Sequence, residues 1–163
     1  MSETASSADE TWPLRRNVTV IARDPNGLVA FSKPAGVLSH PNAEGDEPRS
    51  LLTARYDFDG EFFEWNLEGE AAPRRLWLLN RLDSATSGVI LAATDPNLAS
   101  EIRAQFKRKQ VRKVYHALVF GAPRQAMELW RDLLAIQKRG GQIRAAASAG
   151  HVPAESRMSV VRA

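Results

Sequence analysis

Residues 76–93 read LWLLNRLDSATSGVILAA, a short polar stretch between two apolar runs. Neither LWLL nor GVILAAT shows the period of an amphipathic helix, and leucine and β-branched residues run on without a break, so both are read as buried strands. Strands that close together fix the polar stretch as a loop held by the core at both ends, which gives its side chains defined positions. That loop carries Arg81, Asp83, three hydroxyl residues (Ser84, Thr86, Ser87) and Gly88.

Working outward, NVTVIARD alternates as a strand should, DPNG supplies turn chemistry, and LVAFSKP is a second extended run stopped by Pro34; together they predict a hairpin. From KPAGVLSHP to DEPRS the chain is rich in Pro, Gly and acid and reads as loop. A short helix is predicted around SLLTARY, with Ser50 as its N-cap. Between Asp57 and Arg75 the signals are weak: Phe62, Phe63 and Trp65 are expected to pack, and EGEAAPRR is loop. After the second buried strand, Asp95 caps and Pro96 opens a helix whose Leu98, Ile102 and Phe106 form one apolar stripe, with Arg103, Lys107 and Arg108 away from it. VRKVYHALVFG reads as a strand ending at Gly121, with Tyr115, Ala117 and Val119 on one face. Residues 125–139 support a helix or, with Gly140-Gly141 as a turn, a hairpin; the pattern leaves both open. ESRMSVVRA alternates like a final strand.

A chain of 163 residues, 44% apolar and 25% charged, suits one domain with a real core. The absence of cysteine excludes disulfides and thiolate-bound metals, and His40, His116 and His151 lack metal-site spacing, so no metal is expected. The start, MSETASSADET, has neither the charge nor the apolar run of a leader, and no apolar run approaches the roughly 20 residues of a membrane span. Residues 1–16 are therefore expected as a disordered tail, and the protein as cytoplasmic, without a membrane partner. Net charge is only +3, yet six Lys or Arg and no acid lie between Arg103 and Lys113, a patch suited to a polyanion.

Asp83 is the foremost candidate for a reacting group, because a carboxylate can act as a base or attack a sugar carbon without a partner base to activate it. The plain alternative is a turn aspartate that caps local amides and pairs with Arg81.

NRLDSATSGVIL resembles the catalytic motif of the RluA-like family of RNA pseudouridine synthases, an Arg-Leu-Asp followed after two residues by Thr-Ser-Gly and an apolar strand. Three more segments resemble the family's in the same order: FSKPAGVLSHP its Lys-Pro-x-Gly stretch with His-Pro, QFKRKQV its basic helix, and RKVYHALVFG its Lys-x-Tyr-x-Ala strand. The likeness covers residues 17–122 well and the remainder more weakly.

The resemblance implies an α+β pseudouridine synthase catalytic fold, a mixed but mainly antiparallel sheet with flanking helices. It implies isomerisation of uridine in structured RNA, ribosomal or transfer, with no cofactor and no metal. By position, Asp83 is the essential carboxylate, acting on the anomeric carbon or on a sugar proton. Tyr115 stacks on the target uracil, and Arg81 assists base extrusion or binds beside the extracted nucleotide. Lys33, Arg108 and Lys113 meet phosphates, while Thr86, Ser87 and Gly88 shape the loop.

Two departures stand out. Asn80 replaces the His that usually precedes Arg-Leu-Asp, keeping hydrogen bonds without titration, and it is counted with the RNA-binding residues. Nothing after Gly121 matches the family's Gly-Arg-Thr-His-Gln-apolar-Arg segment. Residues 17–163 are thus expected to form a partial catalytic domain lacking its C-terminal part, with an uncovered sheet edge and apolar surface that predict low stability or association. Oligomeric state is not legible. The alternative function is a catalytically inactive RNA-binding remnant. A glycosidase reading lacks a second well-placed acid, since no spacing argument brings Glu101 or Glu155 to Asp83.

Overall fold

A computed structural model describes residues 12–139, 142–147 and 150–161. The chain divides into two units, one running to Lys113 and the other from Val114 onward. In the first, strands β1 (Thr19–Arg23), β2 (Leu28–Lys33), β3 (Arg55–Asp57), β4 (Phe62–Trp65), β5 (Arg74–Leu78) and β6 (Gly88–Ala93) form one sheet in the order β1-β2-β6-β5-β4-β3. Every neighbouring pair is antiparallel. Helix α1 (Pro96–Lys107) follows β6, and this is the α+β architecture expected, with one α-helix among the described residues.

Alternation along the strands explains why both central strands read as continuously apolar. Leu76, Leu78, Ile90, Ala92, Val29 and Phe31 belong to one core cluster. Their strand neighbours Trp77, Leu91, Ala93 and Leu28 belong to a second, with Leu98, Ala99, Ile102 and Phe106 of α1. The central strands β2, β6 and β5 are therefore covered on both faces, a pattern usually met in parallel sheets. The cap of α1 is as read: the Asp95 carboxylate accepts from the Leu98 N–H at 2.8 Å. The DPNG hairpin is also as read, with Gly27 at φ +95°.

The first core cluster is closed by the segment leading from β2 to β3. A helix around SLLTARY does not form. One 3-10 turn at Glu47–Arg49 ends in Ser50 as its C-cap, and Arg55–Asp57 is strand β3. Leu51, Leu52, Ala54 and Tyr56 are all buried, a spacing no single helical face satisfies, and bridges Leu14↔Leu52 and Leu38↔Ser50 hold the segment instead. The tail reading is also corrected at its inner end. Trp12 packs edge-on against Phe31 at 5.7 Å and Leu14 bridges Leu52, so Trp12 and Leu14 pack against the core; residues 1–11 lie outside the described residues.

In the second unit, β7 (Met127–Arg139) pairs with β8 (Gln142–Ala147) and β9 (Val152–Ser159) in the order β8-β7-β9, all antiparallel. The hairpin is the alternative that forms; Gly140-Gly141 itself lies outside the described residues. Residues 111–120 are not a strand. Their backbone joins no ladder among the described residues, and Leu118 and Phe120 are fully exposed.

Candidate active site

The β5–β6 loop is held from three sides. At its start, Asn80 continues the sheet with its side chain: Oδ1 accepts from the Leu91 N–H (2.7 Å) and Nδ2 donates to the Val89 carbonyl (3.1 Å). At its centre, Ser39 brackets Leu82, its hydroxyl donating to the Leu82 carbonyl (2.8 Å) and accepting from the Leu82 N–H (3.0 Å). The Leu82 side chain packs against the first core cluster. Beyond Asp83, the Ser84 carbonyl accepts from the Gly36 N–H (2.7 Å) and from Lys33 Nζ (3.4 Å). A turn closes the far side, with the Thr86 N–H donating to the Asp83 carbonyl (3.0 Å).

Asp83 thus has its backbone fixed on both flanks while its side chain points outward. The residue is exposed, and among the described residues no group hydrogen-bonds or ion-pairs with its carboxylate. Adjacency to Arg81 produces no ion pair: Arg81 Nη1 donates to His40 Nε2 at 2.7 Å, and among the described residues it has no carboxylate partner. The plain reading of Asp83 as a capped and paired turn residue therefore does not describe this loop. Gly88 opens β6 at φ +148°, where a Cβ would stand 3.2 Å from Leu82 Cδ1, so a side chain would press on the residue that anchors the loop.

Lys33 is corrected from a phosphate ligand to an internal brace. It is 0% exposed, and its ammonium donates to the carbonyls of Val37 (2.7 Å), Pro34 (3.2 Å) and Ser84 (3.4 Å). Burial lowers its pKa from the ordinary lysine value, with the Asp83 charge working in the opposite sense. Asn80 has both amide ends committed to β6, which corrects it in the same way from RNA ligand to loop anchor.

Beside the loop lies a cavity of about 230 Å³ lined by His40, Tyr56, Glu61, Leu78–Asn80, Arg81 and Arg103. His40 stacks on Tyr56 (centroids 5.3 Å apart, 14° between planes), and Tyr56 meets core Phe63 edge-on at 4.9 Å. Burial lowers the pKa of His40, with Arg81 acting in the same direction, and raises that of the Tyr56 phenol. Arg103 is not on a solvated helix face. Its Nε donates to the Leu78 carbonyl (2.9 Å), its Nη2 donates to the Glu61 carbonyl (3.1 Å), and Nη1 lies 3.7 Å from the Glu61 carboxylate. Glu61 adopts φ +52° in the β3–β4 turn, which presents that carbonyl. Sequence reading missed Ser39, Tyr56, Glu61 and Arg103. Only Ser39 and His40 had a local signal, since they belong to the SHP that follows Lys-Pro-Ala-Gly.

Lys107, Arg108, Lys109, Arg112 and Lys113 are all exposed, and among the described residues none has a carboxylate partner. Tyr115, 58% exposed, belongs to the second unit, in the segment without regular structure. Among the described residues, no helix is long and apolar enough to cross a membrane.

The antiparallel sheet thus holds an unengaged carboxylate on a braced loop, beside a cavity lined by the Arg81 guanidinium. The family model described as RNA pseudouridylate synthase matches residues 27–162, and the chain belongs to that family, in its RluA-like branch. It is 36% identical over 94 residues to tRNA pseudouridine synthase C of Vibrio cholerae, covering 58% of this chain and 34% of that protein. It is 30% identical over 119 residues to ribosomal large subunit pseudouridine synthase D of Borreliella burgdorferi, covering 73% and 35%. It is 33% identical over 112 residues to the dual-specificity RNA pseudouridine synthase RluA of Haemophilus ducreyi, covering 67% and 42%. The chain thus spans between a third and a half of the length of these relatives.

Proposed function

We propose that this chain isomerises uridine to pseudouridine in structured RNA, with Asp83 as the reacting carboxylate, in the cytoplasm and without a cofactor. The observation that carries the reading is the Asp83 carboxylate itself, exposed and unengaged on a loop whose flanking backbone groups are tied down. Such fixing places a reacting group before substrate arrives, which is where much of catalytic rate originates. In the reaction the N1–C1′ bond of uridine breaks, the uracil turns and a C5–C1′ bond forms. The C5 proton leaves and N1 gains one, so the composition of the nucleotide is unchanged. Asp83 acts on C1′ as nucleophile or on a sugar proton as base.

The substrate must be flipped out of its stack to reach such a loop. Arg81, whose guanidinium lines the cavity, is assigned to the space the base vacates or to the extracted nucleotide. Tyr115 is assigned to stacking on the uracil, an interaction worth roughly 1 to 3 kcal/mol. Arg108 and Lys113, with the exposed cations around them, are assigned to phosphates, which makes affinity steeply salt-dependent. The relatives' names include enzymes of both ribosomal and transfer RNA, and the RNA substrate is taken to be one of these.

The test is a carbodiimide map of pseudouridine in cellular RNA with this chain as the only copy, compared with Asp83→Asn. A site should appear with the natural chain and vanish in the variant, while RNA affinity stays within a few-fold. Conversion that survives Asp83→Asn overturns the assignment. RNA binding with a steep salt slope but no conversion by either chain would favour the RNA-binding remnant instead.

A further inference from the structure

Arg81 is the cation of the candidate site with the least visible means of support. It is exposed, and among the described residues its one hydrogen-bond partner is the imidazole of His40. A guanidinium has donors and no acceptor, so His40 Nε2 must offer a lone pair at the 2.7 Å contact. The other ring nitrogen, Nδ1, lies 2.6 Å from the Pro41 carbonyl, which can only accept, so Nδ1 carries the proton. The two contacts independently require the same tautomer of a neutral ring. The ring plane is set by the Tyr56 stack, and Tyr56 is in turn locked edge-on by Phe63 in the core. An unbroken path of fixed groups therefore runs from β4 to the Arg81 guanidinium.

We propose that His40 is a positioning residue: held in its Nδ1–H tautomer by Pro41, it orients the Arg81 guanidinium at the cavity beside the Asp83 loop. No other described carboxylate or carbonyl fixes Arg81, so loss of the Nε2 lone pair frees it. Protonation of His40 has the same effect as deletion of the acceptor, because imidazolium has no lone pair to offer and adds a like charge. The charged and titratable groups facing His40 are Arg81, Glu61 and Arg103 across the cavity and the Tyr56 phenol beneath it. The displaced pKa of His40, lowered by burial and by Arg81, agrees with a ring kept neutral at this place. The consequence for RNA rests on the function proposed above, whereas the tautomer and its hydrogen bond do not.

The experiment therefore has two arms. In the first, ¹⁵N NMR of the full chain follows the His40 imidazole through a pH titration, in the natural protein and in Arg81→Ala. The expected result is the Nδ1–H tautomer at neutral pH and a titration midpoint that moves upward when Arg81 is removed. An Nε2–H tautomer, or a midpoint indifferent to Arg81→Ala, overturns the proposal whatever the protein does to RNA. The second arm measures RNA affinity for His40→Phe, Arg81→Ala and the double variant. Phe keeps a ring for the Tyr56 stack and lacks the acceptor. Each single variant should weaken binding roughly tenfold, the worth of one hydrogen bond to a charged group, and the double variant should be no weaker than either. Losses that multiply in the double variant would show that His40 acts independently of Arg81 and refute the positioning role. His40→Gln, which can offer a carbonyl oxygen, should recover part of the affinity, a rescue that a merely structural role would not give.

Discussion

Replacing Lys33 with Met removes a buried charge and three hydrogen bonds while keeping most of the side-chain volume. The ammonium is 0% exposed and meets the Val37 carbonyl at 2.7 Å, with longer bonds to Pro34 and Ser84 at 3.2 and 3.4 Å. A hydrogen bond to a charged group contributes about 1.5 to 3 kcal/mol, and carbonyls stripped of their donor lose more. Release of a desolvated ammonium offsets part of this, leaving a net loss of about 2 kcal/mol. In a unit of this size that lowers the melting temperature by roughly 8 to 16 °C, which calorimetry will read. Amide exchange should localise the damage: the Gly36 N–H, which donates to the Ser84 carbonyl, should exchange faster while the Phe31 and Ile90 amides keep the protection of the core. The pH dependence has a definite sign. Because the folded pKa of Lys33 lies below 10.5, the unfolded chain binds the extra proton just below that value. The stability of the natural protein relative to Lys33→Met must therefore rise as pH climbs toward 10.5. A melting temperature within about 2 °C of the natural protein's would refute the brace and return Lys33 to the surface role expected from sequence.

Asn80→Ala strips the Leu91 N–H and the Val89 carbonyl of their partners and should cost about 1 to 2 kcal/mol in urea unfolding with an unchanged slope. Its RNA affinity should suffer less than that of Arg81→Ala, since its amide faces β6. His40 sets a second pH effect. Its folded pKa lies below 6.5, so the unfolded chain binds more protons below that value, and its contribution is complete above pH 6.5 and lost as pH falls through the folded pKa. In thermal melts between neutral pH and pH 5, His40→Phe should lose less stability than the natural protein; parallel curves would contradict this.

What the sequence revealed and what it concealed divide along a physical line. The β5–β6 pair, the DPNG hairpin and the capped helix α1 are local objects, decided by alternation, turn residues and an Asp-Pro start within a few residues of one another. Residues 50–56 are not. Leu51, Leu52, Ala54 and Tyr56 are apolar enough for a helix, but Leu14 and Leu38, far away in sequence, bind that backbone first. Residues 111–120 alternate well, yet alternation states what a strand would bury and not whether a neighbouring strand is present to receive its hydrogen bonds. Arg103 was misjudged because helical spacing places its Cα without saying where its long side chain ends, here on Leu78 and Glu61. Lys33 could have been read correctly. It follows Val29 and Phe31 at strand period, so alternation alone turns it inward, and a lysine turned inward needs carbonyls.

The corrections to Lys33 and Asn80 sharpen the reading of the loop. A residue that resembles a family motif can serve the substrate or the scaffold, and the structure separates the two by which polar groups are already engaged. Lys33, Ser39 and Asn80 have their polar atoms spent on backbone groups within the fold. Their substitution should therefore move stability first, and binding only through the loop. Leu82 packs, partly buried, against the core with Arg81 and Asp83 exposed on either side of it, so any shift of Leu82 displaces guanidinium and carboxylate together. The spacing of Arg-Leu-Asp is then a mechanical requirement: one partly buried residue fixes two exposed ones, and Ser39, which grips both the N–H and the carbonyl of Leu82, sets the position of both charges at once.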